Sequence, residues 1–224
     1  MNPKQRAAEA AIQFVADGMT IGLGTGSTAD QFLIALSAAL KSGQLRNIVG
    51  VPTSRQSQKR SEELGIPLTT LANHPKLDVT IDGADEISPR LDLIKGLGGA
   101  LLREKMVAQH STKLVIIADS GKSVGQLGTK QMLPVEVVQF GHEVQAVFLR
   151  TQGCTPVLRM AGGTPFVTDN GNYIYDCRFP GIADPRGLEA ALQKQAGIVE
   201  HGLFLGMADV ALIADENAVE TRRR

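Results

Sequence analysis

The sequence predicts an α/β fold, with a doubly wound, mostly parallel (Rossmann-like) sheet and a small inserted α+β domain of ferredoxin-like type. Short apolar runs alternate with amphipathic helical stretches through the first half of the chain, which is the pattern of a parallel sheet with helices on both faces. A further apolar strand pattern at residues 208–214 is expected to return to this sheet. We therefore predict a first domain of residues 1–130 plus 206–224, with residues 131–205 inserted into it.

The helices of the first half have ordinary start and stop signals. Asn2 is a suitable N-cap ahead of Pro3, and Gly43 and Gly65 can end the next two helices. The predicted elements are a helix after Pro3, a strand at 19–23, a helix from Ala29 to Gly43, a strand at 48–51, a helix at 55–64, strands at 66–71 and 77–81, a helix at 100–108 and a strand at 114–118.

The inserted region has shorter strands and a strong turn signal. Asn170-Gly171 is typical of a tight turn between two strands. The predicted elements are a strand at 135–140, a helix at 143–151, short strands at 156–159, 165–167 and 172–178, a helix at 185–196 and a closing segment at 197–204.

Composition excludes several functional classes. The chain has 224 residues, of which 43% are hydrophobic and 21% charged, so it can bury a substantial core. Its 23 basic and 23 acidic residues give no bias toward nucleic acid, and Arg222–Arg224 is interpreted as a solvated tail. Glu9, Gln13 and Asp17 interrupt the apolar residues of the N-terminus. We therefore expect no signal peptide, no membrane segment and a cytoplasmic location.

Metal and disulfide sites are not indicated. Cys154 and Cys177 form no CxxC motif and are interpreted as two free thiols. The four histidines are scattered without metal-ligand spacing: His74, His110, His142 and His201. We predict no metal ion and no cofactor.

The glycine-rich turn after the first strand, Gly24-Thr-Gly-Ser-Thr28, is the main candidate for anion binding. Glycines allow backbone N–H groups to approach a ligand, and a helix N-terminus attracts negative charge. NAD is disfavoured because the next strand, 48–51, is not followed by an acidic residue. A nucleoside triphosphate is disfavoured because Ile116 stands where a Walker loop ending at Gly121-Lys122-Ser123 needs its first glycine. A small phosphorylated ligand or a purely structural turn remain.

Two more polar segments follow predicted strands. Asp82-Gly-Ala-Asp85 comes directly after the strand at 77–81, as either a ligand-binding turn or an Asx-type turn. Lys95 precedes the flexible loop Gly96-Leu97-Gly98-Gly99, and Glu104 lies in the first turns of the helix after it. The default interpretation of Glu104 is a solvent-facing carboxylate between Arg103 and Lys105.

Six motifs occur in order along the chain: Thr25-Gly-Ser-Thr28, Asp82-Gly-Ala-Asp85, Lys95-Gly with Arg103-Glu-Lys105, the turn Asp119–Lys122, Leu133-Pro-Val-Glu-Val137 and Val167-Thr-Asp-Asn-Gly-Asn172. Together they resemble the ribose-5-phosphate isomerase family of type A. The resemblance spans nearly the whole chain. It departs from the family pattern at Leu97, where glycine is expected, and at Gly121, where serine is expected.

The resemblance implies a metal-free interconversion of D-ribose 5-phosphate and D-ribulose 5-phosphate through an enediolate. Glu104 is then the base, Lys95 a stabiliser of the enediolate oxygen, and Asp82 and Asp85 the groups that hold sugar hydroxyls and assist ring opening. The phosphate is then bound by Ser27, Thr28 and Lys122, with a contribution from Lys4. The substrate-binding set is completed by Thr25, Gly26, Gly83, Ala84, Gly96, Leu97 and Gly98.

The resemblance also implies a homodimer that binds a small sugar phosphate. Two other classes of protein remain open on the residues alone. One is a non-catalytic sugar-phosphate sensor, and the other is an amino-sugar phosphate deaminase or acyl-CoA transferase of similar fold. Conversion of ribose 5-phosphate to the ketose distinguishes them, because a sensor binds this ligand without converting it.

Overall fold

The computed structural model describes residues 2–224 and divides the chain into two compact units. The first unit comprises the residues up to Ala84, together with Arg103–Lys122 and Met207–Arg224. The second unit comprises Asp85–Leu102 and Ser123–Gly206. Within the described residues, no helix is both long enough and apolar enough to span a membrane.

Six α-helices, two short 3₁₀ helices and fifteen strands are formed by the described residues. The helices are α1 (Pro3–Ala11), α2 (Ser27–Ser42), α3 (Arg55–Leu64), α4 (Leu101–Gln109), α5 (His142–Thr151) and α6 (Pro185–Lys194). The strands are β1 (Thr20–Leu23), β2 (Val49–Pro52), β3 (Val79–Asp82), β4 (Glu86–Ile87), β5 (Leu93–Ile94), β6 (Leu114–Asp119), β7 (Leu133–Val137), β8 (Thr155–Leu158), β9 (Met160–Ala161), β10 (Thr164–Pro165), β11 (Tyr173–Arg178), β12 (Ile198–His201), β13 (Leu203–Phe204), β14 (Val210–Ala214) and β15 (Val219–Arg223).

The first unit contains a six-stranded sheet in the order β15-β14-β6-β3-β1-β2. All neighbours pair in parallel except β14 and β15, which are antiparallel. Strands β1 and β3 are buried along their whole length, as expected for parallel strands covered on both faces. The predicted return of the C-terminal strand is confirmed, because β14 pairs with β6.

The helix boundaries of the first unit follow their capping residues. The side chain of Asn2 accepts a hydrogen bond from the Gln5 N–H, and Pro3 begins α1. Gly43 and Gly65 lie in the left-handed region after α2 and α3, where glycine carries no Cβ penalty. The buried faces of α1 and α2 pack in one apolar core with β1, β3, β6 and β14.

The second unit has a four-stranded antiparallel sheet in the order β12-β7-β11-β8. Its elements follow one another as β7-α5-β8-β11-α6-β12, which is the βαββαβ sequence of a ferredoxin-like fold. The short strands β13, β5 and β4 form a separate antiparallel sheet, and β9 pairs with β10 in a hairpin. The α/β class and the ferredoxin-like region are both as predicted from the sequence.

Two sequence-based element predictions are wrong. No strand forms at 66–71, where only Leu68 makes an isolated bridge to Gly50, because Pro67 has no N–H to donate to a ladder. Arg222 and Arg223 are not a free tail but belong to the edge strand β15. Arg222 pairs with Glu220 on the same strand, and the polar composition of β15 hides its strand character.

The predicted domain boundaries, 1–130 plus 206–224 and 131–205, differ from the division into units. The segment Asp85–Leu102 belongs to the second unit, because its strands β4 and β5 form a sheet with β13. Residues 123–130 also belong there. The backbone N–H groups of Gly128 and Lys130 donate to the buried carboxylate of Glu86, at 2.6 and 2.7 Å.

Candidate active site

The glycine turn of residues 24–28 connects β1 to the N-terminus of α2 in the first unit. Gly26 has a φ of 104° and precedes the first helical residue, Ser27. Lys4 donates from Nζ to the Ser27 hydroxyl at 2.9 Å. A cation, hydroxyl groups and the first N–H groups of a helix therefore lie together, which is the chemistry of an anion-binding site.

The Asp82 carboxylate lies against this turn. Asp82 ends β3 and is only 1% exposed. Its Oδ1 accepts the N–H groups of Thr25, at 3.0 Å, and of Gly83, at 2.7 Å. A Cβ added to Gly24 would lie 2.3 Å from this Oδ1 and 2.6 Å from the Asp82 Cα. Glycine is therefore required at position 24 by close packing against Asp82.

Glu104 is buried in the first unit. Its side chain lies on α4 and is 4% exposed, so the default interpretation of a solvent-facing carboxylate is wrong. Burial of a carboxylate is costly in free energy and needs specific partners or a functional reason.

Lys122 ends a short 3₁₀ turn that directly follows β6. The turn is shaped by Asp119, whose Oδ1 accepts the Gly121 N–H at 3.0 Å. Because β1, β3 and β6 are parallel, the glycine turn, Asp82 and this turn all lie at the carboxyl edge of one sheet. That edge is where α/β sheets bind ligands.

The second unit contains Asp85, Lys95 and the glycine loop of residues 96–99. The Asp85 carboxylate accepts the Leu97 N–H at 3.0 Å. Lys95 is 2% exposed, and its Nζ lies 5.5 Å from the centre of the Phe204 ring. Gly96 and Gly99 have φ values of 95° and 84°, and the Gly99 N–H donates to the Gly96 carbonyl at 2.9 Å. The loop is therefore a tight turn that needs glycine at both ends.

The two departures from the family motifs require no strained backbone. Leu97 is not among the residues with positive φ, so a side chain is tolerated there. Gly121 also has an ordinary φ, although a Cβ there would lie 2.9 Å from Asp119 Oδ1. The structure thus explains why leucine fits in the loop.

The sequence-predicted residues are distributed over both units. The structure brings Lys4, Ser27, Thr25 and Asp82 together in the first unit, and Asp85 and Leu97 together in the second. The other candidates of the first unit are Gly26, Thr28, Gly83, Ala84, Glu104 and Lys122; those of the second are Lys95, Gly96 and Gly98.

Sequence reasoning did not identify two groups of residues that contact these segments. The Thr25 hydroxyl makes 2.8 Å hydrogen bonds with the hydroxyls of Thr53 and Ser54, which could have been found because they directly follow β2. Arg159 contacts the carbonyl groups of Gly96 and Leu97. Nothing local in the sequence connects positions so far apart.

The cysteines are buried free thiols, as predicted. A hydrogen bond with Cys154 and burial raise the pKa of Cys177 well above its usual value. Within residues 2–224, no cluster of three or more His, Cys, Asp or Glu side chains is arranged to hold a metal ion.

Taken together, the fold and its polar edge define an α/β protein with charged and hydroxyl side chains at the carboxyl ends of parallel strands. The family model of ribose 5-phosphate isomerase A (phosphoriboisomerase A) matches residues 49–218. The chain is 54% identical over 217 residues to ribose-5-phosphate isomerase A of Roseiflexus castenholzii, covering 96% of this chain and 93% of that one. The chain therefore belongs to the ribose 5-phosphate isomerase A family.

More distant relatives agree with this assignment. A probable chloroplastic ribose-5-phosphate isomerase of Arabidopsis thaliana is 47% identical, covering 97% of this chain and 81% of that one. The solved structure of the Plasmodium falciparum ribose 5-phosphate isomerase is 42% identical, with a TM-score of 0.96 and coverage of 99% and 97%. A D-ribose-5-phosphate isomerase solved in complex with phospho-erythronic acid is 38% identical, with a TM-score of 0.97 and full coverage of both chains.

Proposed function

We propose that this protein interconverts D-ribose 5-phosphate and D-ribulose 5-phosphate, an aldose–ketose isomerisation of the non-oxidative pentose phosphate pathway. Membership of the ribose 5-phosphate isomerase A family, at 54% identity to a relative over 96% of the chain, carries the proposal. The family assignment gives no support to the sensor, the deaminase or the acyl-CoA transferase.

Glu104 is proposed as the base. Its carboxylate takes the proton from carbon 2 of the opened aldose, and the electron pair of that bond forms the carbon–carbon double bond of a cis-enediolate. The same carboxyl returns the proton to carbon 1. The proton of the carbon 2 hydroxyl passes to the carbon 1 oxygen, so that a ketone forms at carbon 2 and a hydroxymethyl group at carbon 1. Burial of Glu104 supports this role. In a site with little water, the proton that the base has removed does not exchange with solvent before it is returned.

The enediolate oxygen needs positive groups beside it. Lys95 supplies a charge, and the N–H groups of the loop at residues 96–99 supply dipoles. Fixed donors of this kind provide a large part of the rate enhancement in many enzymes. The relative solved with phospho-erythronic acid supports the type of reaction rather than the roles of particular residues, since that compound carries a phosphate and a planar, negatively charged carboxylate that resembles an enediolate.

The phosphate is proposed to bind at the glycine turn. Ser27, Thr28 and their backbone N–H groups provide donors at the N-terminus of α2, and Lys122 and Lys4 provide charge. The hydrogen bond from Lys4 to Ser27 supports its place in this set. Asp82 and Asp85 are proposed to hold sugar hydroxyls and to assist ring opening, in which the anomeric hydroxyl loses its proton, the ring oxygen gains one and the bond between carbon 1 and the ring oxygen breaks.

Four further expectations complete the proposal. The reaction uses no metal ion, because a single carboxylate can move the proton. The protein forms a homodimer, the commonest closed assembly, and a monomeric mass by light scattering would contradict this. The cytoplasmic location stays a prediction, and the balanced charge of 23 basic and 23 acidic residues supports the expectation of no nucleic-acid partner.

The activity is tested by following ribose 5-phosphate with the wild-type protein by NMR. We expect resonances of ribulose 5-phosphate to appear until equilibrium is reached, at the same rate with and without EDTA. Glucosamine 6-phosphate, the type of substrate that a deaminase uses, should remain unchanged. Binding of ribose 5-phosphate without conversion would instead identify a sensor, and activity lost in EDTA and restored by a divalent cation would overturn the metal-free mechanism.

A further inference from the structure

Arg159 lies in the second unit and is fixed by its backbone. Its N–H donates to the Ile174 carbonyl at 2.8 Å, and its carbonyl accepts the Phe166 N–H at 2.9 Å. Its position lies between β8 and the hairpin β9–β10. The Arg159 side chain is 14% exposed, so this arginine is not an ordinary surface residue.

The guanidinium is oriented by a bidentate ion pair with Asp176. Nε donates to Oδ2 at 2.9 Å, and Nη2 donates to Oδ1. The Asp176 side chain is 13% exposed. Two parallel charge-assisted hydrogen bonds fix the plane of the guanidinium as well as its position. The third nitrogen, Nη1, therefore points in one defined direction.

That third nitrogen holds the glycine loop. Nη1 lies 3.0 Å from the Leu97 carbonyl oxygen and 3.4 Å from that of Gly96. Phe166, whose ring lies 5.6 Å from the Arg159 guanidinium carbon, closes the same side of the loop. A Cβ added to Gly99 would lie 2.6 Å from the end of this ring. The loop is thus packed against the Phe166 ring and against Arg159, which is itself held by Asp176 of β11.

Two consecutive peptide groups of the loop are oriented by these contacts. In the first peptide, Arg159 contacts the Gly96 carbonyl and Asp85 accepts the Leu97 N–H. In the second, Arg159 holds the Leu97 carbonyl. Because the carbonyl and N–H of a trans peptide point in opposite directions, the Gly98 N–H points away from Arg159. Gly98 is exposed, so this N–H can reach a ligand.

We propose that Arg159 is a positioning residue for the isomerisation: held by Asp176, it fixes the loop of residues 96–99 so that the Gly98 N–H faces the developing enediolate oxygen. The inference rests on the proposed role of this loop in the reaction. Arg159 itself touches neither the substrate nor the reacting atoms in this account. Its effect is therefore on the chemical step more than on ground-state binding.

The test measures kcat and KM of Arg159→Ala for ribose 5-phosphate. Loss or misplacement of an enediolate donor should lower kcat by about tenfold to a hundredfold, while KM changes by less than about threefold. Added guanidinium should restore part of kcat. Arg150→Ala, which removes an exposed arginine of α5 in the same unit, is the matched control and should retain wild-type kcat.

Arg159→Lys and Asp176→Asn keep the test decisive where Arg159→Ala does not fold. Lysine keeps the positive charge beside Asp176, but its single ammonium group cannot both pair with the two carboxylate oxygens and donate to the Leu97 carbonyl. The kcat of Arg159→Lys should therefore also fall, with KM nearly unchanged. Asp176→Asn should lower kcat in the same way, because the Arg159 guanidinium loses the carboxylate that orients it. Folded variants with wild-type kcat, or a loss confined to KM, would overturn the inference. If the wild-type protein itself does not convert ribose 5-phosphate, the proposed function fails instead.

Discussion

The two glycine-rich segments, the turn of residues 24–28 and the loop of residues 96–99, are held in place by different means. The turn belongs to a strand–helix connection, and Asp82 on the neighbouring strand accepts the Thr25 N–H. The loop is oriented by the side chains of Asp85 and Arg159. Arg159 is 62 positions from Leu97 in the sequence. The turn is therefore held by a side chain of the adjacent strand in its own sheet, and the loop by side chains from two other segments of the second unit.

This difference shows why glycine content alone does not reveal how a loop works. In the turn, Gly24 is needed because Asp82 leaves no room for a side chain. In the loop, Gly96 and Gly99 are needed for their positive φ, whereas Leu97 carries a side chain without strain. Substitution of Gly24 should therefore disturb packing alone, whereas substitution of Gly96 or Gly99 would combine an unfavourable φ with close contacts to Leu101 or Phe166.

Gly24→Ala is expected to have the largest effect on stability among the substitutions that distinguish the turn from the loop. The new Cβ would meet the Asp82 Cα at 2.6 Å, and a backbone atom cannot move aside as a side chain can. We expect a loss of about 1–3 kcal/mol in the free energy of unfolding, measured by urea denaturation. Gly125→Ala is the control, since a Cβ there has no neighbour within 4 Å. Equal stability of the two variants would contradict the packing explanation.

The second prediction concerns the phosphate-binding role of the turn. Thr28→Val and Lys122→Ala should each raise KM for ribose 5-phosphate by about fivefold to tenfold, because each removes one donor worth about 1–1.5 kcal/mol. Thermal unfolding should be nearly unchanged. Glu62→Gln, an exposed residue of α3, should leave KM as in the wild type. An unchanged KM in both variants would place the phosphate elsewhere.

The smallest effect is expected for Leu97→Gly in the loop. Leu97 has an ordinary φ, and the loop is held through its backbone, so kcat should stay within about twofold of the wild type. The free energy of unfolding should fall by about 0.5–1 kcal/mol, because glycine has greater conformational freedom in the unfolded chain. A large fall in kcat would show that the leucine side chain takes part in positioning the loop.

The sequence was sufficient for features that depend on local pattern. The capping of α1 by Asn2, the ends of α2 and α3 at glycine, and the return of β14 to the sheet were all predictable, because each is encoded within a few residues. The edge strand β15 was missed because its exposed charged residues resemble a tail. The strand predicted at 66–71 does not form, because Pro67 interrupts the hydrogen-bond ladder that the apolar residues of this region suggest.

The site was predictable only where polar residues follow a strand. Asp82, the glycine turn and the turn that ends at Lys122 each lie at the end of a strand of the parallel sheet or directly after it, so the topology places them at one edge. The burial of Glu104 could not be predicted, since charged neighbours on both sides suggest an exposed helix face. The contact of Arg159 with the loop depends on the packing of β8, β11 and the loop, which no local pattern encodes.

The most direct test of the account is the kcat of Glu104→Gln with ribose 5-phosphate. Glutamine keeps the size and helix propensity of the side chain but cannot take the proton from carbon 2. We predict a fall in kcat of roughly 10²-fold or more, with substrate still bound. Thermal unfolding of the same samples controls for misfolding. A folded variant that keeps most of its kcat would contradict the account, and Asp82 and Asp85 would become the candidates for the base.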